Sequence, residues 1–211
     1  MGGSRRGAIL EAMIRVAGRK GYRAVTVGDA IDEAPASRAT FYKHFEDKHD
    51  CFLAAYDLAA ERVLATVEAA CEAECSWLER VRAGLGVLVD LLVADPELAR
   101  TVVVEAVAAG GETRRRQMEL IQRLARRLER GRDTGPAELP ADTGLMAASA
   151  VNGLLFEEIK NGRATDLPGR IPDLLFALLV PFLGPERAIE EARYARLRAS
   201  MMAAASPDSA T

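Results

Sequence analysis

The sequence predicts an all-α protein: three short helices in the first fifty residues, then a longer helical body. Three observations predict it. Apolar residues recur three and four positions apart in almost every segment, the spacing of a helix with one buried face. No segment sustains the period-two alternation between hairpin turns that strands require. Asp95-Pro96, Gly110-Gly111 and the Gly135-Pro136 to Pro140 stretch separate apolar runs, as helix stops and loop formers do.

Leu10, Met13, Ile14 and Ala17 form the first stripe, so a helix is expected over 5–20, and Gly21 supplies the left-handed stop. Thr26 is a capping residue for a short second helix that must end before Pro35. Ser37 caps a third, kept short because Asp47 and Lys48 open the next. From Lys48 a long stripe runs through Phe52, Tyr56, Ala59, Ala60, Val63, Val67 and Ala70. Further helices are expected at 76–94, 97–108 and 112–130, ended by Asp95-Pro96, Gly110-Gly111 and Gly131. A loop over 133–140 contains Gly135, Pro136 and Pro140, and a helix over 142–161 follows. After Gly162, Pro168 and Gly169 the next helix is expected at 172–183, with Pro172 in its first turn. A charged helix from 185 to about 202 precedes a Ser/Ala/Pro/Asp tail. The expected organisation is 1–48, 49–203 and a disordered tail at 204–211.

The 211 residues, 49% hydrophobic, suffice for a sizeable core. The longest apolar stretch, 174–183, is too short to span a bilayer, and the Gly/Ser/Arg opening lacks the apolar run of a secretory signal. A cytoplasmic protein without a membrane partner is expected. Three cysteines are too few and too odd in number for a disulfide framework, so free thiols are expected. The net charge of −3 argues against a protein that coats nucleic acid with its whole surface. Its distribution is uneven. Residues 1–50 carry nine Lys and Arg against seven Asp and Glu, whereas 51–211 carry nineteen against twenty-four. An anionic polymer meets the N-terminal part first.

Two short helices joined by a tight turn bury little alone, so 26–44 must pack on the first helix through Val27, Ala30, Ile31, Ala34 and Phe41. The outer face of the second then carries Arg38, Thr40, Tyr42, Lys43 and His44, cations and hydroxyls at a spacing that fits a major groove. Ala39 is small enough for close backbone approach, and the helix starts at Thr26 and Lys48 offer N–H groups to phosphates. This is a helix-turn-helix arrangement. The run T-V-x-D-x-x-x-x-A-x-x-S-R-x-T-F-Y-x-H-F-x-x-K, preceded by I-L-E-A and K-G-Y, resembles the DNA-binding domain of the tetracycline-repressor (TetR) family over residues 9 to about 53. The resemblance implies a homodimer on a double-stranded DNA operator, one recognition helix per subunit, and a C-terminal domain that answers a small-molecule effector. By position, Thr26, Tyr42, His44 and Lys48 resemble phosphate-contacting residues. Arg38, Ala39, Thr40 and Lys43 resemble groove-facing ones, with Ser37 at the head of their helix. Two positions depart from the family's pattern. Ala30-Ile31 stands where Ile-Ala is usual, and Ala34-Pro35-Ala36-Ser37 replaces A-G-V-S, so a turn that glycine can take through positive φ must be built with φ near −65°.

Behind this domain, the helices at 142–161 and 172–183 have dense apolar faces. Leu155, Phe156, Ile159, Leu174, Leu178 and Phe182 are the expected dimer contacts, against the simpler reading that they close the monomer core. The helices from 76 to 130 suit an uncharged or amphipathic ligand, with Trp77, Met118 and Asn152 as candidate lining residues. The arginines of 114–132 form either a second nucleic-acid surface or the solvated side of an amphipathic helix. Cys71 and Cys75, four apart, are either a thiol sensor or inert, and no histidine is spaced to complete a metal site with them. No G-x-S-x-G, P-loop, H-E-x-x-H or glycine-rich dinucleotide turn is present, and Glu157-Glu158 and Glu190-Glu191 each point in different directions, so no enzyme activity, catalytic residue, metal or cofactor is expected. The expected function is a ligand-responsive, sequence-specific repressor. If Pro35 abolishes DNA reading, the chain is instead a helical small-molecule-binding module.

Overall fold

A computed structural model of the protein describes residues 5–134 and 138–205. Among these it contains eleven α-helices, a π-turn, two 3-10 turns and no strand. The N-terminal unit is α1 (Arg5–Lys20), α2 (Val27–Glu33) and α3 (Arg38–His44). The long α4 (Lys48–Glu72) leads into the body: α5 (Trp77–Ala94), α6 (Pro96–Arg100), a π-turn at Thr101–Glu105, α7 (Ala106–Ala108) and α8 (Gly111–Leu128). A 3-10 turn at Glu129–Thr134, α9 (Thr143–Lys160), a second at Ala164–Asp166, α10 (Leu167–Leu183) and α11 (Pro185–Ala205) complete it.

The helix starts are where capping chemistry puts them. The side chains of Thr26, Ser37, Asp47, Ser76 and Asp95 each accept from the backbone N–H three residues on. Thr26 and Ser76 are answered by Asp29 and Glu79, closing two capping boxes. Gly21, at φ +81°, ends α1 in the left-handed conformation that its position required. The buried side chains form one continuous core from Ile9 to Ala188. Ile9, Met13 and Ile14 of α1, Phe41 of α3 and Phe52, Ala55 and Tyr56 of α4 are its closed N-terminal end. Gly18 is what brings α1 down on α6: a Cβ there would overlap the backbone of Glu97.

Three segments differ from expectation. The single helix expected over 97–108 is interrupted by the π-turn at Thr101–Glu105, which periodicity cannot reveal because a π-turn adds one residue without breaking the apolar run. The helix expected from 172 begins at Leu167, so Pro172 lies inside it and Pro168 takes the first-turn role. A buried carboxylate explains the earlier start: Glu158 on α9 accepts from Arg163 Nε at 2.6 Å and pairs with Arg170 at 3.4 Å, fixing the α10 start against the α9 end. Finally α11 runs to Ala205 and takes in two residues of the expected tail, whose remainder, 206–211, lies outside the described residues, as do 135–137 of the expected loop.

Candidate functional site

The first candidate site is the outer face of α3. Its scaffold is neutralised from within. Arg15 and Arg19 of α1 both pair with Glu33 of α2, Arg15 at 2.8 Å, and hold that carboxyl below its ordinary range. Lys20 pairs with Asp29, whose carboxyl is lowered to about 2 by that bond and by the Thr26 N–H and hydroxyl. The cations of α1 that face α2 are thereby spent on the scaffold. On α3, by contrast, Arg38, Ala39, Tyr42 and Lys43 are exposed, and neither Arg38 nor Lys43 has an ion-pair partner among the described residues. Tyr42 is 54% exposed, its ring edge-on to the buried Phe41 at 5.4 Å. Phe41 and Phe45, also 5.4 Å apart, are the anchor that fixes which way the other side chains point.

The turn before α3 is built differently from a glycine turn. Ala34 and Ser37 are both extended, at φ −102° and −99°, and Ala36 N–H donates to the Ala34 carbonyl at 2.7 Å. That two-residue span closes a γ-type turn around Pro35, which proline's fixed φ suits and which needs no left-handed residue. Ser37 Oγ accepts from Thr40 N–H at 3.1 Å and lies 3.0 Å from the Thr40 hydroxyl, so both hydroxyls sit at the head of α3.

The remaining expected contacts are placed unevenly. Thr26 is exposed at the α2 start, but its hydroxyl already donates to Asp29 Oδ2 at 2.9 Å. His44 is half-buried beside Phe45. Lys48 turns inward: its Nζ donates to the Tyr22 carbonyl at 3.1 Å and lies 4.4 Å from the centre of the Tyr22 ring. Arg6, not singled out from the sequence, stacks over Phe45 at 5.3 Å, close to the α3 exit. Its proximity depends on the α1–α3 crossing, which spacing along the chain does not encode.

The second candidate site is a cavity of about 590 Å³ within the body. Val63, Val67, Leu85, Leu88, Leu92, Leu120, Ile121 and Leu124 make most of its apolar wall, and Trp77 and Asn152 line it as expected from the sequence. Met118 does not: it is 38% exposed on the outside of α8, and Gln117 occupies the inner position. Ile121, Leu124, Ala125 and Leu128 face inward from α8, but toward its start the inner positions are the polar, buried Thr113 and Gln117, which leaves Met118 outside. Trp77 is edge-on to Phe182 at 5.5 Å, and its buried Nε1 has no hydrogen-bond partner among the described residues. Gly131 is required behind it, since a Cβ there would overlap the indole. Five arginines, Arg80, Arg123, Arg126, Arg127 and Arg130, also line the cavity, against the two carboxylates Glu68 and Glu72.

The arginine run of α8 is largely a ladder onto α4: Arg116 pairs with Asp57, Arg123 with Glu61 and Arg127 with Glu68. Arg114 and Arg115 are exposed at the other end of α8, and Arg126 and Arg130 are the exposed cations of the run that border the cavity. Cys71 also lines the cavity, its thiol donating to the Arg80 carbonyl at 3.4 Å and its pKa raised by burial, while Cys75 is exposed. No cluster of three or more metal-ligating side chains occurs among the described residues. Among the described residues no helix is long and apolar enough to cross a membrane.

The expected dimer contacts need correction. Leu155, Ile159, Leu174, Leu178 and Phe182 are 0–7% exposed within a single chain and close its own core, and Phe156 is half-buried under Lys160 Nζ at 5.4 Å. Helices apolar on more than one side do not reveal from sequence which side faces inward. The outward apolar residues on the same helices are Met146 on α9, 57% exposed, and Phe176 on α10, 38% exposed.

Comparison with known proteins agrees with this architecture. Residues 9–55 match the family model described as bacterial regulatory proteins, tetR family. No curated protein sequence matches. Among solved structures, the fatty acid degradation regulator FadR from Bacillus halodurans superposes with a TM-score of 0.69 at 17% identity, over 86% of this chain and 96% of that one. FadR from Bacillus subtilis, in complex with stearoyl-CoA, gives 0.61 at 18% identity over 84% and 97%. A TetR family transcription regulator from Marinobacter aquaeolei VT8 gives 0.61 at 23% identity over 93% and 95%. Residues 9–55 thus match the tetR family of bacterial regulatory proteins, and the helices behind them share the fold of these solved structures.

Proposed function

We propose that this DNA-binding regulator is a ligand-responsive repressor that holds a palindromic operator as a homodimer and leaves it when an anionic amphiphile fills the body. One observation carries the DNA half. Arg38, Ala39, Tyr42 and Lys43 stand exposed on one helix while the neighbouring cations of α1 are paired with Glu33 and Asp29. Lys43 and Arg38 then read base edges, and Tyr42, with Arg6 at the α3 exit, meets phosphates. A dimer built on the outward faces of α9 and α10, around Met146 and Phe176, sets two such helices about 34–36 Å apart on one side of the duplex.

The effector half rests on the make-up of the cavity. Its apolar wall takes an acyl chain, the unpartnered Trp77 Nε1 donates to a carbonyl, and Arg80, Arg126 and Arg130 meet phosphate oxygens. A long-chain acyl-CoA has all three parts, and stearoyl-CoA is bound by Bacillus subtilis FadR, whose fold this chain shares. Release follows only if the ligand binds the DNA-incompetent arrangement better.

The test is selection of random duplex fragments on the purified protein, followed by titration of the selected duplex complex with stearoyl-CoA, free stearate and CoA. A palindrome released by stearoyl-CoA alone is expected. Selected fragments without a shared motif would remove the operator reading. Release by CoA as readily as by stearoyl-CoA would remove the acyl-chain assignment.

A further inference from the structure

The π-turn at Thr101–Glu105 stands between the cavity and the N-terminal reader, α1–α3; its middle is held from the cavity wall and both of its ends from the reader side. On the cavity side, Gln117 of α8 is 6% exposed and donates through Nε2 to the carbonyls of Val102 at 3.0 Å and Val103 at 2.9 Å. All three residues line the cavity. A π-turn leaves carbonyls without their ordinary intrahelical donor, so one side-chain amide here replaces what the helix gave up. On the reader side, the Thr101 hydroxyl donates to the Ile14 carbonyl of α1 at 3.0 Å, both groups buried. Glu105, 3% exposed, accepts from Tyr22 N–H at 2.8 Å and pairs with Arg100 at 3.0 Å. Tyr22 in turn touches the start of α4 three ways: its carbonyl takes Lys48 Nζ, its hydroxyl lies 3.1 Å from His49 Nδ1, and its ring lies 4.6 Å from that of Phe52. Lys48 is four residues beyond the last residue of α3.

From this chain of contacts we infer that Gln117 and Glu105 are positioning residues for the reader: Gln117 holds the turn in its π register from the cavity wall, and Glu105 hands that register to Tyr22. A turn with one residue to spare has two packings, π and regular α, and a side chain that satisfies the freed carbonyls selects the first. A ligand seated on Val102, Val103 and Gln117 acts on that selection directly. The inference rests on the ligand-responsive reading for its purpose, but the mechanical link can be measured without ligand or DNA.

The experiment is hydrogen exchange on the full chain, wild type against Gln117→Leu, which keeps the side-chain bulk and removes the amide. Exchange is expected to rise about tenfold both at 101–106 and at 21–25, the stretch that contains the Tyr22 amide, while 77–94 stays unchanged, since a buried amide–carbonyl pair commands roughly that factor. A rise at 101–106 with none at 21–25 overturns the inference, and so does no change at either. If Gln117→Leu loses protection throughout, Glu105→Ala interrogates the same link from the other end. Coupling is reciprocal, so exchange at 115–120 must then rise, and its constancy overturns the inference equally. On the selected duplex, Gln117→Leu is expected to shift affinity about fivefold in the wild-type chain and less than about twofold in a Glu105→Ala background, because residues in one network are not additive. Additive shifts overturn it. Failure to select any duplex counts against the regulator reading alone, since the exchange arm stands apart from it.

Discussion

The reader and the body are built from the same kind of helix, yet they are filled differently. Around α1–α3 the apolar side chains leave no room: Ile9, Met13 and Phe41 are fully buried and Phe45 nearly so. In the body, α4, α5, α8, α9 and α10 enclose about 590 Å³ of open volume. The charges differ in the same sense. The reader spends its inner cations on Glu33 and Asp29 and leaves Arg38 and Lys43 outside, whereas the body locks Arg116, Arg123 and Arg127 onto α4 and keeps Arg126 and Arg130 by the cavity. Tight packing fixes the direction of a few side chains, as reading a groove demands. Open volume gives up dispersion contacts and leaves space that a ligand recovers on binding.

Stability measurements test this contrast with the largest effect. Phe41→Ala should cost about 3–5 kcal/mol in urea unfolding, because the closed end of the core cannot collapse onto the void. Leu88→Ala, on the cavity wall, should cost roughly 1–2 kcal/mol, since it enlarges space that already exists. Equal costs would mean that the cavity is filled and the contrast illusory.

Affinity measurements sharpen the comparison on each side. Lys43→Ala should weaken binding to the selected operator by about 1–3 kcal/mol and relax preference at particular bases, while Tyr42→Ala should weaken all duplexes alike. In the body, Arg126→Ala should weaken stearoyl-CoA binding about tenfold, the worth of one charge-assisted hydrogen bond, and leave DNA affinity in the absence of ligand unchanged. Loss of both by either substitution would show that the two regions share more than the π-turn.

The reader was legible in the sequence to a degree the body was not, and the reason is locality. Thr26, Ser37 and Asp47 act within three residues of themselves, so the capping that starts α2, α3 and α4 can be read from neighbours in the chain. The outward face of α3 follows once Phe41 is recognised as its anchor. Trp77 and Asn152 reach the cavity as read, but the Met118 reading fails because Gln117 is buried for carbonyls of a π-turn fourteen and fifteen residues away. The α10 start depends on Glu158 in the same fashion. Leu155, Ile159, Leu174, Leu178 and Phe182 were recognisable as apolar, but whether they meet their own chain or a partner is a property of the fold.

The smallest effect lies in the scaffold of the reader. Asp29 is held at about 2, below its ordinary 3.8, so its cap on α2 and its pairing with Lys20 are intact above about pH 4 and are lost as pH falls through that interval. Acid titration of the wild type followed by circular dichroism should show a transition component there that Asp29→Asn lacks. The same component in both proteins would place the acid sensitivity elsewhere.

Gly18 gives the meeting of these two regions its mechanical character. Where side chains separate two helices, a small movement of one is absorbed by rotamers before the other feels it. Between α1 and Glu97 there is backbone against backbone, with nothing to reorient. The joint has no play: displacement of α6 by even a fraction of an ångström must be met by α1 as a rigid rod. A methyl group at position 18 would not loosen this joint but pry it open, leaving the reader folded and out of step with its body.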